Sequence, residues 1–141
     1  EPFSDSVRYV TELHSVHGYS FHAITSLTTD ANAEKLRQMN LDNVFGEGVF
    51  RRLIMLDVGA SKFSTLNTEY GGSMYYWVED LTKNAQDGFR AGLRPLLVNH
   101  EFNANDDLRG EFPRVNNWKE IRDIIVNDEY QRHCAATRSL R

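Results

Sequence analysis

A chain of 141 residues, 40% hydrophobic and 26% charged with 9 Gly and 3 Pro, is long enough to bury a core and is balanced like a globular domain, which excludes disordered and collagen-like classes. Its formal charge of -4 gives no basic footprint for nucleic acid, so no polynucleotide partner is expected and any small anion must be caught by local groups. The apolar runs are only a few residues long, and the start Glu1-Pro2-Phe3-Ser4-Asp5 has neither a basic region nor an apolar core, so neither a membrane span nor a signal peptide is expected.

In chain order, Val7, Val10 and Leu13, less regularly Tyr9, suit one face of a helix over Pro2 to Val16, with Ser4 or Asp5 as N-cap and Gly18 ending it. Tyr19 to Thr25 reads as a short strand, followed by a polar turn from Ser26 to Thr29. Ala31, Ala33, Leu36 and Met39 recur at helical spacing over Asp30 to Met39, with Thr29 as N-cap, and Leu41, Val44 and Phe45 precede Gly46 and Gly48. Leu53 to Leu56 predicts a strand buried on both faces, ending at Asp57, and Gly59 opens a turn. A helix over Lys62 to Asn67, broken by Gly71-Gly72, leads to an aromatic-rich strand from Met74 to Val78 and the acidic pair Glu79-Asp80. Leu81 to Ala91 is helical and ended by Gly92, Pro95 to Val98 is a fourth strand, Asn99 to Asn117 a long polar loop, and Trp118 to Tyr130 a final helix carrying Ile121, Ile124 and Ile125.

Strand and helix alternate with short connections, which predicts a single α/β domain over residues 1–141: a Rossmann-like three-layer α/β/α arrangement with a mostly parallel sheet. In such sheets ligands bind beyond the carboxyl ends of the strands, where Thr25, Asp57, Glu79, Asp80 and Asn99 fall. Thr25 and Ser26 offer hydroxyls and N–H groups suited to phosphate oxygens, and equally suited to capping the next helix. Lys62 can return its ammonium to the strand ends or remain on the surface. Glu79, Asp80 and Asn84 present hard oxygen ligands of the kind Mg²⁺ takes, and also read as an acidic start to the helix after them. His14 and His17, three apart on the first helix, have a zinc-like spacing without an evident third ligand. The single Cys134 forms no internal disulfide and fits a reducing, cytoplasmic setting.

The order of these pieces carries a resemblance. Ile24-Thr25-Ser26 after a strand, Lys62 after the next, Trp77-Val78-Glu79-Asp80 with Asn84 and Gly88, then Arg90-Ala91-Gly92, resembles the haloacid dehalogenase-like (HAD) superfamily of mostly magnesium-dependent phosphatases. The likeness covers roughly Pro2 to Ile125, and Pro113 to Ile121 looks like the closing helix of nucleotidase-like members. It implies phosphate binding and catalysis by Thr25 and Lys62, with Ser26 as second choice for phosphate, and Mg²⁺ held by Asp80 with Glu79 and Asn84 in support. It further implies a small phosphorylated substrate, with a nucleotide among the candidates, hydrolysed through an aspartyl-phosphate. A non-catalytic HAD-like scaffold or binding protein is the alternative.

One part of the family pattern has no counterpart here: the Asp-x-Asp strand that supplies nucleophile and general acid. Asp57-Val58-Gly59 lacks a second aspartate two positions on and follows the wrong strand. In this fold the absent strand lies centrally, between those ending at Thr25 and Glu79. Each backbone group left buried and unpaired there costs about 1 to 3 kcal/mol, so the strand is expected from an upstream segment, a second chain, or re-pairing of the four that remain. The absence of a starting Met suits an upstream segment, as does a processed terminus. By itself the chain is expected to be inactive. The loop from Asn99 to Arg114, with His100 and Phe102, is read both as a contact for sugar or base and as a solvated loop.

Overall fold

The structure is a computed structural model that describes residues 4–27, 31–57 and 60–139. Its elements are α1 (Ser6–Ser15), β1 (Phe21–Leu27), α2 (Ala31–Phe45), β2 (Phe50–Asp57), α3 (Lys62–Tyr70), β3 (Tyr76–Glu79), α4 (Thr82–Arg90), β4 (Arg94–Val98), a 3₁₀ turn (Glu101–Asn103), β5 (Arg114–Val115) and α5 (Trp118–Ser139). The α/β alternation is therefore present. Of the turn expected from Ser26 to Thr29, Ser26 belongs to β1 instead, while Thr28 and Thr29, the turn at Gly59 and the helix start at Pro2 lie outside the described residues. Among the described residues no helix is long and apolar enough to cross a membrane.

Two compact units can be described separately. The first holds α1, α2, α5 and the leading parts of β1 and β2; the second holds the remainder of those strands and everything from α3 to β5.

In the first unit Ser6, Tyr9, Val10 and Leu13 are the buried residues of α1, which packs on α2 and α5. Their spacing of three and four defines a single stripe, so Val7, expected in the core, falls outside it and is exposed. Ile121 and Ile125 are buried on α5. Asp5 does precede α1, but its carboxylate caps another helix: it accepts from the backbone N–H groups of Trp118 (3.2 Å) and Lys119 (3.0 Å), the orphan donors at the start of α5. Leu36 and Met39 of α2, expected to face the core, are exposed. The packed face is set instead by Gln38, which donates to the Phe50 carbonyl at 3.3 Å, and by Phe45, whose ring meets that of Phe50 at 5.0 Å.

In the second unit β3, β4 and β5 form a parallel sheet in that order, with Trp77 opposite Pro95 and Leu97 opposite Arg114. Pro95 is tolerated in the middle strand for a positional reason. The Arg94 N–H points to Tyr75 and the Leu97 N–H to Pro113, so by alternation the missing donor at Pro95 faces the side where β5 has not yet begun. The strand expected from Met74 starts instead at Tyr76, because Met74 is held at φ 60, outside extended geometry. One apolar cluster joins Leu66, Ala91 and Leu93 with Ile24, Phe63, Tyr70 and Trp77 packed on them; another joins Ala85, Leu97 and Phe112.

Among the described residues the strands pair in two sheets: β1 with β2 in one, and β3, β4 and β5 in the other, so β1 and β3 are each end strands there and the four longer described strands are not paired into a single layer. β2 is half-buried rather than covered on both faces. The long loop after β4 contains β5, whose two residues are too few to register as an alternating pattern.

Candidate functional site

The carboxyl end of β3 gathers polar groups from three elements. Glu79 is the last residue of β3, Lys62 the first of α3, and Asn84 lies in the first turn of α4. The Lys62 ammonium stands 3.5 Å from Glu79 Oε1, and Asn84 Nδ2 donates to the same oxygen at 2.7 Å. Trp77, one pleat back on β3, roofs the group: its Nε1–H donates to the Asn84 carbonyl at 3.0 Å, and its ring lies 5.7 Å from Lys62 Nζ. The side chains of Lys62 and Glu79 are only 13% and 10% exposed, so this pair is shielded from water and salt. Burial pushes the Glu79 carboxyl above its ordinary range; Lys62 and the Asn84 amide pull against that rise, and the neighbouring Asp80 charge adds to it.

Gly88 permits this assembly. A Cβ on Gly88 would overlap Cδ1 of Trp77, so α4 can approach the indole only without a side chain there. Gly88→Ala is expected to lower stability by about 1 to 2 kcal/mol: overpacking costs about 1 to 3 kcal/mol, which outweighs the helix-propensity gain of about 1 kcal/mol. A thermal unfolding midpoint equal to or above that of the parent would show that the indole moves aside freely.

Asp80, the next residue, belongs to a second set of contacts. Its carboxylate is 49% exposed and lies 3.7 Å from His100 Nε2. Its backbone carbonyl accepts from Asn103 Nδ2 at 2.7 Å, and the same amide group donates to the Val98 carbonyl at 2.8 Å. Asn103 thus ties the tips of β3 and β4 together while itself 1% exposed. Arg114 closes the loop, its NH2 group donating to the carbonyls of Asn103 (2.9 Å) and Asp106 (2.8 Å).

Thr25 and Ser26 are half-buried near the end of β1; their neighbour Ile24 packs on the same apolar cluster as Trp77. The structure therefore brings Lys62, Glu79 and Asn84 into one contact network and gives Asp80 separate partners. Asp57 is exposed at the end of β2, and Val58-Gly59 lie outside the described residues. His14 Nδ1 is bonded to the Tyr19 carbonyl at 2.7 Å. An open groove lined by His17, Arg122, Asp123, Val126, Asn127 and Tyr130 in the first unit contains none of the candidate site residues.

Three groups escaped the sequence reading: Trp77 as roof, Asn103 as tie and Arg114 as clamp. Asn103 carried a usable signal, since Asn99 to Asn103 follows directly on the apolar run Leu96-Leu97-Val98 and therefore stands at a strand tip.

For Mg²⁺ the donor set divides. Among the described residues no group of three or more His, Cys, Asp or Glu stands together as a ready metal cage. Oε1 of Glu79 is already engaged by Lys62 and Asn84. Asp80 offers a half-exposed carboxylate, which suits an ion that takes one or two protein carboxylates and completes its shell with water and substrate phosphate. No family model, curated protein or solved structure matches the chain.

Proposed function

We propose that the protein is a HAD-like, nucleotidase-branch phosphohydrolase acting in the cytoplasm on a small phosphomonoester. The observation that supports this reading is the set of groups at the end of β3: a shielded Lys62 ammonium fixed by Glu79 and Asn84, followed at once by the half-exposed carboxylate of Asp80. An ammonium held in a site of low water content stabilises charge on phosphoryl oxygens far better than one in bulk water. Thr25, with Ser26, orients the phosphoryl group, and Asp80 is the residue that would hold Mg²⁺. When bound, that ion neutralises charge on the phosphoryl oxygens. Glu79 is a positioning residue for Lys62, and Asn84 for Glu79.

The nucleophile in this reading is an aspartate on a strand outside this chain. Its carboxylate oxygen forms a bond to phosphorus as the bond to the leaving oxygen breaks, a second aspartate protonates that oxygen, and water then hydrolyses the aspartyl-phosphate. β1 and β3 are both end strands, and they are the two strands between which the resemblance places the absent one. The supplier is an upstream segment or a second chain.

The alternative, a HAD-like scaffold or binding protein without chemistry, draws on the mutual neutralisation of Lys62 and Glu79. One experiment separates the two: hydrolysis of a generic phosphomonoester with Mg²⁺ by this chain and by the encoded protein read from its initiator methionine. Turnover only in the longer form is the expected result. No turnover in either, with no Mg²⁺ binding, would leave the scaffold standing.

A further inference from the structure

We propose that α5 is the contact helix of a symmetric homodimer, in which two copies of the chain lay this helix antiparallel across Tyr130; the proposal stands apart from the phosphohydrolase reading. α5 runs over Trp118–Ser139, about 33 Å at about 1.5 Å per residue, whereas α1 beside it spans Ser6–Ser15 and about 15 Å. The two helices start together, where Asp5 caps α5, and meet again where Glu12 pairs with Arg122 at 2.6 Å. α1 then stops: Gly18 at φ 77 turns the chain, and Val16 is left 69% exposed. α5 carries on without that neighbour. Ile121 and Ile125 are buried, but among the described residues of α5 none after Ile125 is.

The uncovered stretch is concave. Past the end of α1 lies an open groove of about 530 Å³, lined by His17, Arg122, Asp123, Val126, Asn127 and Tyr130, and Tyr130 is 63% exposed. Asp123, Val126, Asn127 and Tyr130 recur at spacings of three and four, which puts them on one helix face, and the same spacing continues to His133 and Cys134. That face is symmetric about Tyr130. In an antiparallel copy Val126 falls opposite Cys134 and Asn127 opposite His133, while Tyr130 meets its own counterpart. Charge selects this occupant. Residues 118–129 carry four carboxylates, Glu120, Asp123, Asp128 and Glu129, against Lys119 and Arg122, whereas residues 130–139 carry Arg132 and Arg138 and no carboxylate. An antiparallel second copy sets each acidic half along a basic one and opposes the two helix dipoles; a parallel copy sets like against like. A Tyr at the centre of such a face is the residue type that anchors protein interfaces.

The test is sedimentation of the chain, and of the encoded protein read from its initiator methionine, over a range of concentrations. Both should reach twice the monomer mass, and added salt should weaken the association. Tyr130→Asp should raise the dimer dissociation constant by about 30-fold or more, and Asp123→Lys, which sets a cation toward the basic half of the second copy, by about 3- to 10-fold. Both residues are exposed, so these variants should keep the parent's helix content and unfolding midpoint. In a Cys134→Ser background, oxidation should link copies of Tyr130→Cys through the residue on the two-fold axis and leave Arg132→Cys, about 160° away around the helix, unlinked. A monomer at every concentration overturns the proposal. So does a dimer that Tyr130→Asp leaves unweakened, or one in which Arg132→Cys links as readily. A chain that dimerises while the encoded protein stays monomeric overturns it as well, and gives the groove to a segment outside residues 1–141.

Discussion

Replacing Lys62 by Met is expected to lower stability by about 3 kcal/mol at neutral pH and by only about 1 kcal/mol near pH 4. The ammonium lies 3.5 Å from Glu79 Oε1 in a pair whose side chains are 13% and 10% exposed, so its removal leaves a carboxylate in a poorly solvated place. The pH dependence follows from the direction of the Glu79 shift. Burial raises its carboxyl above the ordinary range even with Lys62 present, so the proton it holds adds stability below the ordinary carboxylate pKa, and that contribution is lost as pH rises through the raised value. Without Lys62 the value moves higher still. The penalty is therefore greatest where an unfolded Glu is ionised, and it shrinks where folded and unfolded forms both hold the proton. Urea unfolding at the two pH values measures the difference. Equal losses at both would assign the effect to lost packing against Trp77. In the phosphohydrolase reading the same substitution also slows turnover by about 10²- to 10³-fold.

Asn103→Asp is expected to destabilise by about 3 to 4 kcal/mol, through two carbonyls left without donors at about 1 to 3 kcal/mol each. The change hardly alters shape. The oxygen that accepts from the His100 N–H and from Arg114 NH1 is kept, but the group donating to the Asp80 and Val98 carbonyls at 2.7 and 2.8 Å becomes an acceptor facing acceptors. At 1% exposure no water is at hand to relieve the conflict. The new carboxyl should take up a proton more readily in the folded protein than in the unfolded one, so part of the loss is recovered on acidification. A thermal unfolding midpoint unchanged from the parent would mean that the β3 and β4 tips do not depend on this tie.

These two positions mark how far the residues could be read in advance. Lys62 was visible as a cation following a strand, and Glu79-Asp80 as an acidic pair ending another, because strand tips in alternating α/β chains are located by hydrophobic runs alone. That Glu79 and Asp80 have different partners was not visible: which of them meets Lys62 depends on where α3 and α4 pack. Asn103 was hidden because an Asn in a polar loop is a common surface residue until its burial is known. The elements themselves were legible wherever the apolar period was clean, as in β4. They were misread where a local constraint overrode it: Met74 at positive φ shortened β3, and the Gln38 and Phe45 contacts turned the apolar side of α2 outward. The separation into two sheets had no signature in periodicity, which describes each strand's faces and says nothing of its edges.

The ends of the first unit are joined by distant partners: Arg122 bonds Glu12 at 2.6 Å, and Asp5 caps α5 from the other extremity of the sequence. A nascent polypeptide emerging from the ribosome therefore cannot form the Arg122–Glu12 pair or the Asp5 cap until α5 has been synthesised. The β3–β4–β5 layer, drawn from a continuous stretch, has no such wait. Translation should thus deliver the Lys62 cluster already ordered while α1 still lacks one of its two partners, and a ribosome stalled before Trp118 would display the α5-facing side of α1 to chaperones.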